Sequence, residues 1–322
     1  MGPLIPFFEV PILSVPLPFE MFGRDHLEVH GFGILVMLGF WLGGNIAQAR
    51  ADRAGLDKDV IERLVGWLVV GTFVGGHVGY GLMYRPEEYL RDPIQFLYIW
   101  QGLSSFGGFV VCVPLAFWFF WKEKKRVWPY MDSVAIGLAF GWFLGRMACT
   151  VAHDHPGTPS NFFLAKYCRP VEGHTLVLPD WATASHGDLR WGPCRDAVSS
   201  VVTDISQTVG PEFQGVMAAH DMGFYEALWS LSVFVLFMVM DRVPRKPGVY
   251  ITLLGVLYGP VRFFMDYLRP EITDVRYFGF TPGQYWSLIF FLVALWGLVG
   301  RLRSTDDVMG PTQPLAPGQD NA

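Results

Sequence analysis

Charge is scarce in this chain. Of its 322 residues only 16% are Asp, Glu, Lys or Arg, against about 25% in a typical soluble domain. With 52% hydrophobic content, that deficit excludes an ordinary water-soluble domain and argues for a polytopic membrane protein. A basic N-terminal start is also missing, so no secretory signal peptide is expected from these residues. Pro3, Pro6, Pro11, Pro16 and Pro18 interrupt the apolar content there, so residues 1–28 are expected to form an arm at the membrane surface. Cysteine is sparse, at four. Cys112 and Cys149 fall in apolar runs, while Cys168 and Cys194 fall in a polar stretch where an oxidising compartment would permit a disulfide. Spacing alone leaves open whether those sulfurs meet. The formal net charge of −5 calls for no nucleic-acid partner, and nothing in the chain calls for a cofactor.

What is abundant is apolar and aromatic. Runs of roughly 20 residues, long enough to cross a bilayer, lie near 29–49, 64–84, 103–121, 132–152, 223–241, 248–268 and 282–300. The expected fold class is therefore an all-α integral membrane protein of seven transmembrane helices. Basic residues set its orientation. Arg50, Arg53, Lys58 and Arg63 separate spans one and two, and Lys122, Lys124, Lys125 and Arg126 separate three and four. Arg242, Arg245 and Lys246 separate five and six, and Arg301 and Arg303 follow seven. Thirteen of the 24 basic residues thus share one side if the topology is N-out, C-in. Residues 153–222 then form a long periplasmic segment, and the polar tail 304–322 is expected to be disordered.

Two arginines break the apolar pattern. Arg146 in span four and Arg262 in span six each lie roughly 21 Å from the inner boundary by a 1.5 Å rise. A guanidinium in hydrocarbon costs at least ~2.5–3.5 kcal/mol, so it normally marks a functional site. Its planar fork of donors suits phosphate, which in a membrane points to a phospholipid headgroup. Tyr258, Arg262 and Asp266 recur every fourth residue and share a helical face. His77 reaches a similar depth, and His30, Ser104, Ser105, Tyr225 and Glu226 open their spans from the outer side. Pairing of each arginine with a carboxylate to tie helices together is the alternative; for Glu226 it is a partner role at a helix N-terminus. The run His153-Asp154-His155 has metal-binding residue types, but its neighbours face different ways and no fourth ligand is apparent, so no metal is expected. Gly71, Gly75 and Gly79, and Gly137, Gly141 and Gly145, form small-residue faces that suit close helix packing.

At this point the motifs become specific as an ordered set. His30-Gly31-Phe32-Gly33, Gly75-Gly76-His77-Val78-Gly79-Tyr80, Ser104-Ser105-Phe106-Gly107-Gly108, Gly145-Arg146, Tyr225-Glu226 and Tyr258-Gly259-Pro260-Val261-Arg262 resemble, in order and spacing, the prolipoprotein diacylglyceryl transferases. The similarity spans roughly residues 25–300. It implies a bacterial inner-membrane enzyme that moves the diacylglyceryl group of phosphatidylglycerol to the lipobox cysteine of a prolipoprotein peptide, releasing glycerol phosphate. It also implies that Arg146 and Arg262 hold the headgroup, with Tyr258, Tyr80, Glu226, Asp266 and Asp154 lining the substrate site among membrane lipids. Departures from the family pattern are definite. Phe106 stands where the family has a histidine, and His77 replaces an arginine. Cys149, Ala152 and Asp154 replace two asparagines and a glutamate.

On this reading the substrate thiolate attacks the glycerol carbon while the arginines stabilise the departing phosphate. With Phe106 unable to take a proton, His77, His30 and His220 are the expected bases, His77 first for its depth. Two rivals stay open: a divergent phospholipid-headgroup transferase with another acceptor, and a non-catalytic phospholipid-binding homologue. A transporter is disfavoured, because no paired inverted repeat or broken-helix pair is apparent.

Overall fold

A computed structural model of the chain describes residues 4–6, 8, 10, 12–21, 24–98, 102–160, 162–167, 218–269, 276–316, 318, 320 and 321. Cys168, Cys194 and most of the expected periplasmic segment lie outside the described residues. The N-terminal arm contains an antiparallel hairpin, β1 (Leu13–Met21) and β2 (Arg24–Val29), whose register shifts between Pro16 and Met21. Helices follow: α1 (Gly31–Arg53), α2 (Lys58–Tyr84), short α3 (Pro86–Arg91), a 3₁₀ turn (Pro93–Leu97), α4 (Ser105–Glu123) and α5 (Val127–Ala152). Three short strands, β3 (Pro156–Pro159), β4 (Lys166–Tyr167) and β5 (Ala218–Asp221), form a sheet in the order β3-β5-β4. The chain continues through α6 (Met222–Met240), α7 (Val249–Met265), a 3₁₀ turn (Asp266–Leu268) and α8 (Pro282–Arg303).

The architecture is helical, with six helices among the described residues long and apolar enough to cross a membrane: α1, α2, α5, α6, α7 with its 3₁₀ extension, and α8. Each expected span coincides with one helix, the third being the 19-residue α4. Their ends follow local chemistry. Asp57 caps α2 by accepting from the Asp59 N–H at 3.0 Å, and Ser104 caps α4 by accepting from the Gly107 N–H at 3.3 Å. Such caps satisfy donors that have no partner within the helix.

The chain divides into two compact units, and the boundary falls within α1, α5, α6, α7 and α8. Unit one comprises residues 1–42, 139–233 and 261–284; unit two comprises 43–138, 234–260 and 285–322. In unit two, α2 and α4 pack closely. A Cβ on Gly75 would stand 2.7 Å from the Gly107 carbonyl oxygen, and one on Gly71 would stand 2.8 Å from a Leu115 methyl. The small-residue face of the second span is thus a packing surface. The core of this unit joins Ala47, Ile61, Leu64, Phe119, Phe120 and Tyr130, with Met309 of the tail buried against them. Buried Asp132 caps α7 from outside that helix, accepting from the N–H groups of Gly248, Tyr250 and Ile251 at 2.7–3.1 Å. Beside it Arg50 donates to Asp241 at 3.1 Å and to Ser133 at 3.1 Å.

The tail departs from the expectation of disorder. Asp320 is buried and accepts from Lys125 Nζ at 2.6 Å and from the Tyr130 hydroxyl at 2.7 Å. The Leu315 N–H donates to the Ala54 carbonyl, and Arg245 and Met309 pair as an antiparallel bridge. A polar composition rich in Pro and Gly did not signal this, because three or four specific contacts do the holding.

Candidate functional site

Unit one gathers the charges. Arg146 lies two turns before the end of α5. Glu226 lies in the first turns of α6, whose start is fixed by Asp221: its carboxylate accepts from the Phe224 N–H at 3.0 Å and from the Thr150 hydroxyl at 3.5 Å. Arg146 Nε then stands 2.8 Å from Glu226 Oε2, and the other oxygen of the same carboxylate stands 3.9 Å from Arg262 Nη1. Glu226 is fully buried, and both arginines are less than a tenth exposed. The two membrane-embedded guanidiniums therefore share one carboxylate, brought by a third helix. No carboxylate close in sequence to Arg146 could have announced this.

Arg262 has a second anchor. It forms a buried ion pair with Asp266 one turn on, and Arg269 Nε stands 3.2 Å from the same carboxylate. The Thr281 hydroxyl donates to the other Asp266 oxygen. Thr281 is itself held in a reciprocal cap at the start of α8: the Gln284 N–H donates to its hydroxyl at 3.1 Å, and its own N–H donates to Gln284 Oε1 at 3.0 Å. The segment Thr281-Pro282-Gly283-Gln284 is a capping box with Pro at the first helical position, a sequence signal that would have found this support. Gly283 completes it, since a Cβ there would lie 2.5 Å from Asp266 Oδ2. The periodicity argument for Arg262 and Asp266 thus holds in space, although Asp266 opens a 3₁₀ turn rather than continuing the helix.

The end of α5 fans out in two directions. His153, in a left-handed conformation with φ 55°, points to the N-terminal arm. Its Nε2 donates to the Phe8 carbonyl at 2.9 Å, and its Nδ1 accepts from Lys166 Nζ at 2.9 Å. Lys166, buried, also reaches Asp221 at 2.5 Å and the Thr150 carbonyl at 3.0 Å. Burial, then the Lys166 charge, pulls the His153 imidazole down to about 4, so it is neutral at pH 7. His155 turns the other way. Its Nδ1 hydrogen-bonds the Asp154 carboxylate, and ligand-type atoms of Cys149, Asp154 and His155 all lie within 4.8 Å of one another. Burial disfavours its charged form, but Cys149 and Asp154 overcome that and push His155 up to about 9. Arg146 Nη1 is 4.0 Å from the Cys149 sulfur.

The expected bases separate. His220 lies in β5 with its Nδ1 2.9 Å from the Tyr225 hydroxyl, and burial pulls its pKa below the ordinary histidine value. His30 is exposed just ahead of α1. Both belong to unit one. His77, Tyr80 and Tyr258 belong to unit two. There His77 is almost wholly buried, with Nδ1 3.2 Å from the Gly102 carbonyl and Nε2 2.9 Å from the Gln95 carbonyl. Both ring nitrogens face acceptors, which suits a histidine that ties α2 to the segment before α4. Depth along a helix could not reveal those two carbonyls.

Within unit one, then, three guanidiniums (Arg146, Arg262 and Arg269) surround two carboxylates (Glu226 and Asp266), while Asp154 and His155 pair with each other. Buried charge is tolerated when it is paired, and one positive charge in excess suits a monoanionic ligand such as a phosphodiester.

A family model described as prolipoprotein diacylglyceryl transferase matches residues 20–300. This chain belongs to the prolipoprotein diacylglyceryl transferase family. Curated relatives named phosphatidylglycerol–prolipoprotein diacylglyceryl transferase include one from Cereibacter sphaeroides, 28% identical over 313 residues, covering 89% of this chain and 94% of the relative. Another, from Helicobacter hepaticus, is 25% identical over 296 residues, covering 87% of each. A third, from Pectobacterium atrosepticum, is 27% identical over 291 residues, covering 88% of this chain and 93% of the relative. Family membership thus extends across all the helices and both arginines that the sequence motifs single out.

Proposed function

We propose that the protein transfers the diacylglyceryl group of phosphatidylglycerol to the lipobox cysteine of a prolipoprotein. The observation that carries this reading is the Arg146–Glu226–Arg262 bridge: two embedded cations converge on one place in a family whose named relatives act on phosphatidylglycerol. Arg146 and Arg262 receive the phosphate, with Glu226 and Asp266 fixing their guanidinium planes. As the acceptor sulfur attacks the glycerol carbon and the C–O bond breaks, negative charge grows on the phosphate oxygen, where preoriented donors count most. Asp154 lines the substrate path beside Arg146, and an imidazole takes the thiol proton, with His30 and His220 of the same unit each testable by substitution.

The finer topology is part of the same proposal. Seven transmembrane helices, α4 included, run N-out and C-in, with a surface arm over 1–28, a transferase domain over 29–303 and a cytoplasmic tail from 304. The site then opens to the periplasmic leaflet of the bacterial inner membrane, where secreted substrates arrive. The distribution of basic residues supports this orientation. The test is complementation of cells depleted of their own transferase, scoring lipidation of a reporter lipoprotein. Rescue by the wild-type chain and none by Arg146→Ala is expected. No rescue by a well-expressed wild-type chain would overturn the reaction, and phosphatidylglycerol bound without turnover would leave a lipid-binding homologue.

A further inference from the structure

We propose that His155, oriented by Asp154 and seated beside Cys149 and Arg146, is the group that carries the acceptor thiol's proton in this chain. The proposal rests on the transferase reading and adds to it a residue that none of the expectations above included.

Four observations converge on it. The Asp154 carboxylate engages Nδ1 of His155, which fixes the proton there in the neutral ring and leaves Nε2 as the nitrogen available to a partner, the logic of a carboxylate–imidazole pair. The main chain that carries the ring is fixed, because the His155 carbonyl accepts from the Met222 N–H at 3.2 Å at the start of α6. It keeps a quarter of its side chain exposed, and Asp154 more than a third, so an incoming peptide can reach it. Finally, its neighbourhood already accommodates a sulfur: the Cys149 thiol lies within 4.8 Å of the ligand-type atoms of Asp154 and His155 and 4.0 Å from Arg146 Nη1. Ionisation of a thiol is favoured beside a guanidinium and a basic imidazole that takes its proton, and a substrate thiol arriving next to Arg146 meets the same surroundings. Asp154 and Glu226 of α6 are the anions that act on His155, and Arg146 is the cation that acts on Asp154.

The same trio of Cys149, Asp154 and His155 has metal-ligand residue types. A divalent ion there would sit against the Arg146 guanidinium, and the direct Asp154–His155 bond already uses two of the three ligands. Proton transfer fits this electrostatic setting and a cation does not. The proton balance is simple. The thiol S–H passes its proton to Nε2, the C–S bond forms as the C–O bond breaks, and the electron pair leaves on the phosphate oxygen. The resulting imidazolium gives up its proton to the departing glycerol phosphate, which returns His155 to its starting form.

The experiment uses the full chain in phosphatidylglycerol-containing vesicles with a lipobox peptide, following kcat, KM and their pH profiles. In the wild type, kcat/KM rises with pH through an inflection near 9. His155→Gln lowers kcat by about 10²-fold or more with KM for phosphatidylglycerol changed less than about threefold, and added imidazole restores part of the rate in His155→Ala. Asp154→Asn moves the inflection toward neutral pH, because the carboxylate that holds the proton on the ring is gone. An unchanged pH profile in Asp154→Asn, or full activity in His155→Gln, overturns the proposal. So does loss of activity on chelation with recovery on adding zinc. A wild-type chain that transfers nothing overturns the transferase reading itself, and the assignment of His155 falls with it.

Discussion

Replacing Arg146 with alanine separates a structural arginine from one that acts on substrate. At an effective dielectric near 20, a charge pair at the observed 2.8 Å interacts by about 6 kcal/mol, and one at 3.9 Å by about 4 kcal/mol. Deleting Arg146 therefore removes the larger of the two attractions on Glu226, which has no exposed surface. Breaking a buried pair in this way costs about 3–5 kcal/mol of stability, mostly through the stranded charge. Arg146→Ala/Glu226→Gln removes that stranded charge and leaves Arg262 its Asp266 partner, so at least half of the lost stability should return. Activity should not return with it. Losing one preoriented donor to a developing oxyanion costs about 10²–10³ in kcat, and the double variant stays that low, with Glu226→Gln alone as the control. Thermal unfolding in detergent by tryptophan fluorescence reads stability, and peptide lipidation read by mass spectrometry gives activity. If activity climbs back with stability in the double variant, Arg146 is a structural cation and the phosphate role is wrong.

Three further outcomes follow from the same geometry. Gly283→Ala places a methyl 2.5 Å from Asp266 Oδ2, and the carboxylate cannot yield without releasing Thr281 or Arg262. A loss of about 1–3 kcal/mol and about tenfold in activity is expected in the two assays above. Removing residues 304–322 deprives Lys125 and Tyr130 of Asp320 and uncovers the core beside Met309; a loss of about 1–3 kcal/mol is expected, and an unchanged unfolding temperature would refute the docking. His153, whose pKa falls on folding from 6.5 to about 4, contributes stability that is complete above pH 6.5 and is lost as pH falls through 4, by at most about 3 kcal/mol. Lys166, Asp221 and Asp154 face it, so this acid loss should appear as selective proteolysis of the arm near Phe8 and should vanish in His153→Gln.

The sequence was most readable where a residue violated its surroundings. Arg146 and Arg262 stand out because no other basic residue shares their apolar runs, and Asp266 follows from helical spacing alone. Glu226 stood out as the acidic residue opening its span, but its bridging of both arginines depends on three helices converging, which no local pattern encodes. His155 was overlooked for a different reason. Its sequence neighbours His153 and Asp154 suggested a metal cluster, and only the chain's turn after α5 sends His153 to Lys166 and His155 to Asp154. Arg269 and Thr281 fall in segments without periodicity, although the capping box at Thr281 was legible. His77 shows the reverse error: depth along a helix says nothing about the two carbonyls its ring meets. The strands β3, β4 and β5 are two to four residues each, too short for alternation to register, and the tail is held by contacts rather than by composition.

The account's central claim is that Arg146 and Arg262 grip one phosphate together. An experimental structure with a phosphatidylglycerol analogue bound tests it most directly. The claim predicts phosphate oxygens within about 3 Å of both guanidiniums. A headgroup contacting only one of them, or seated away from Glu226 altogether, would contradict it.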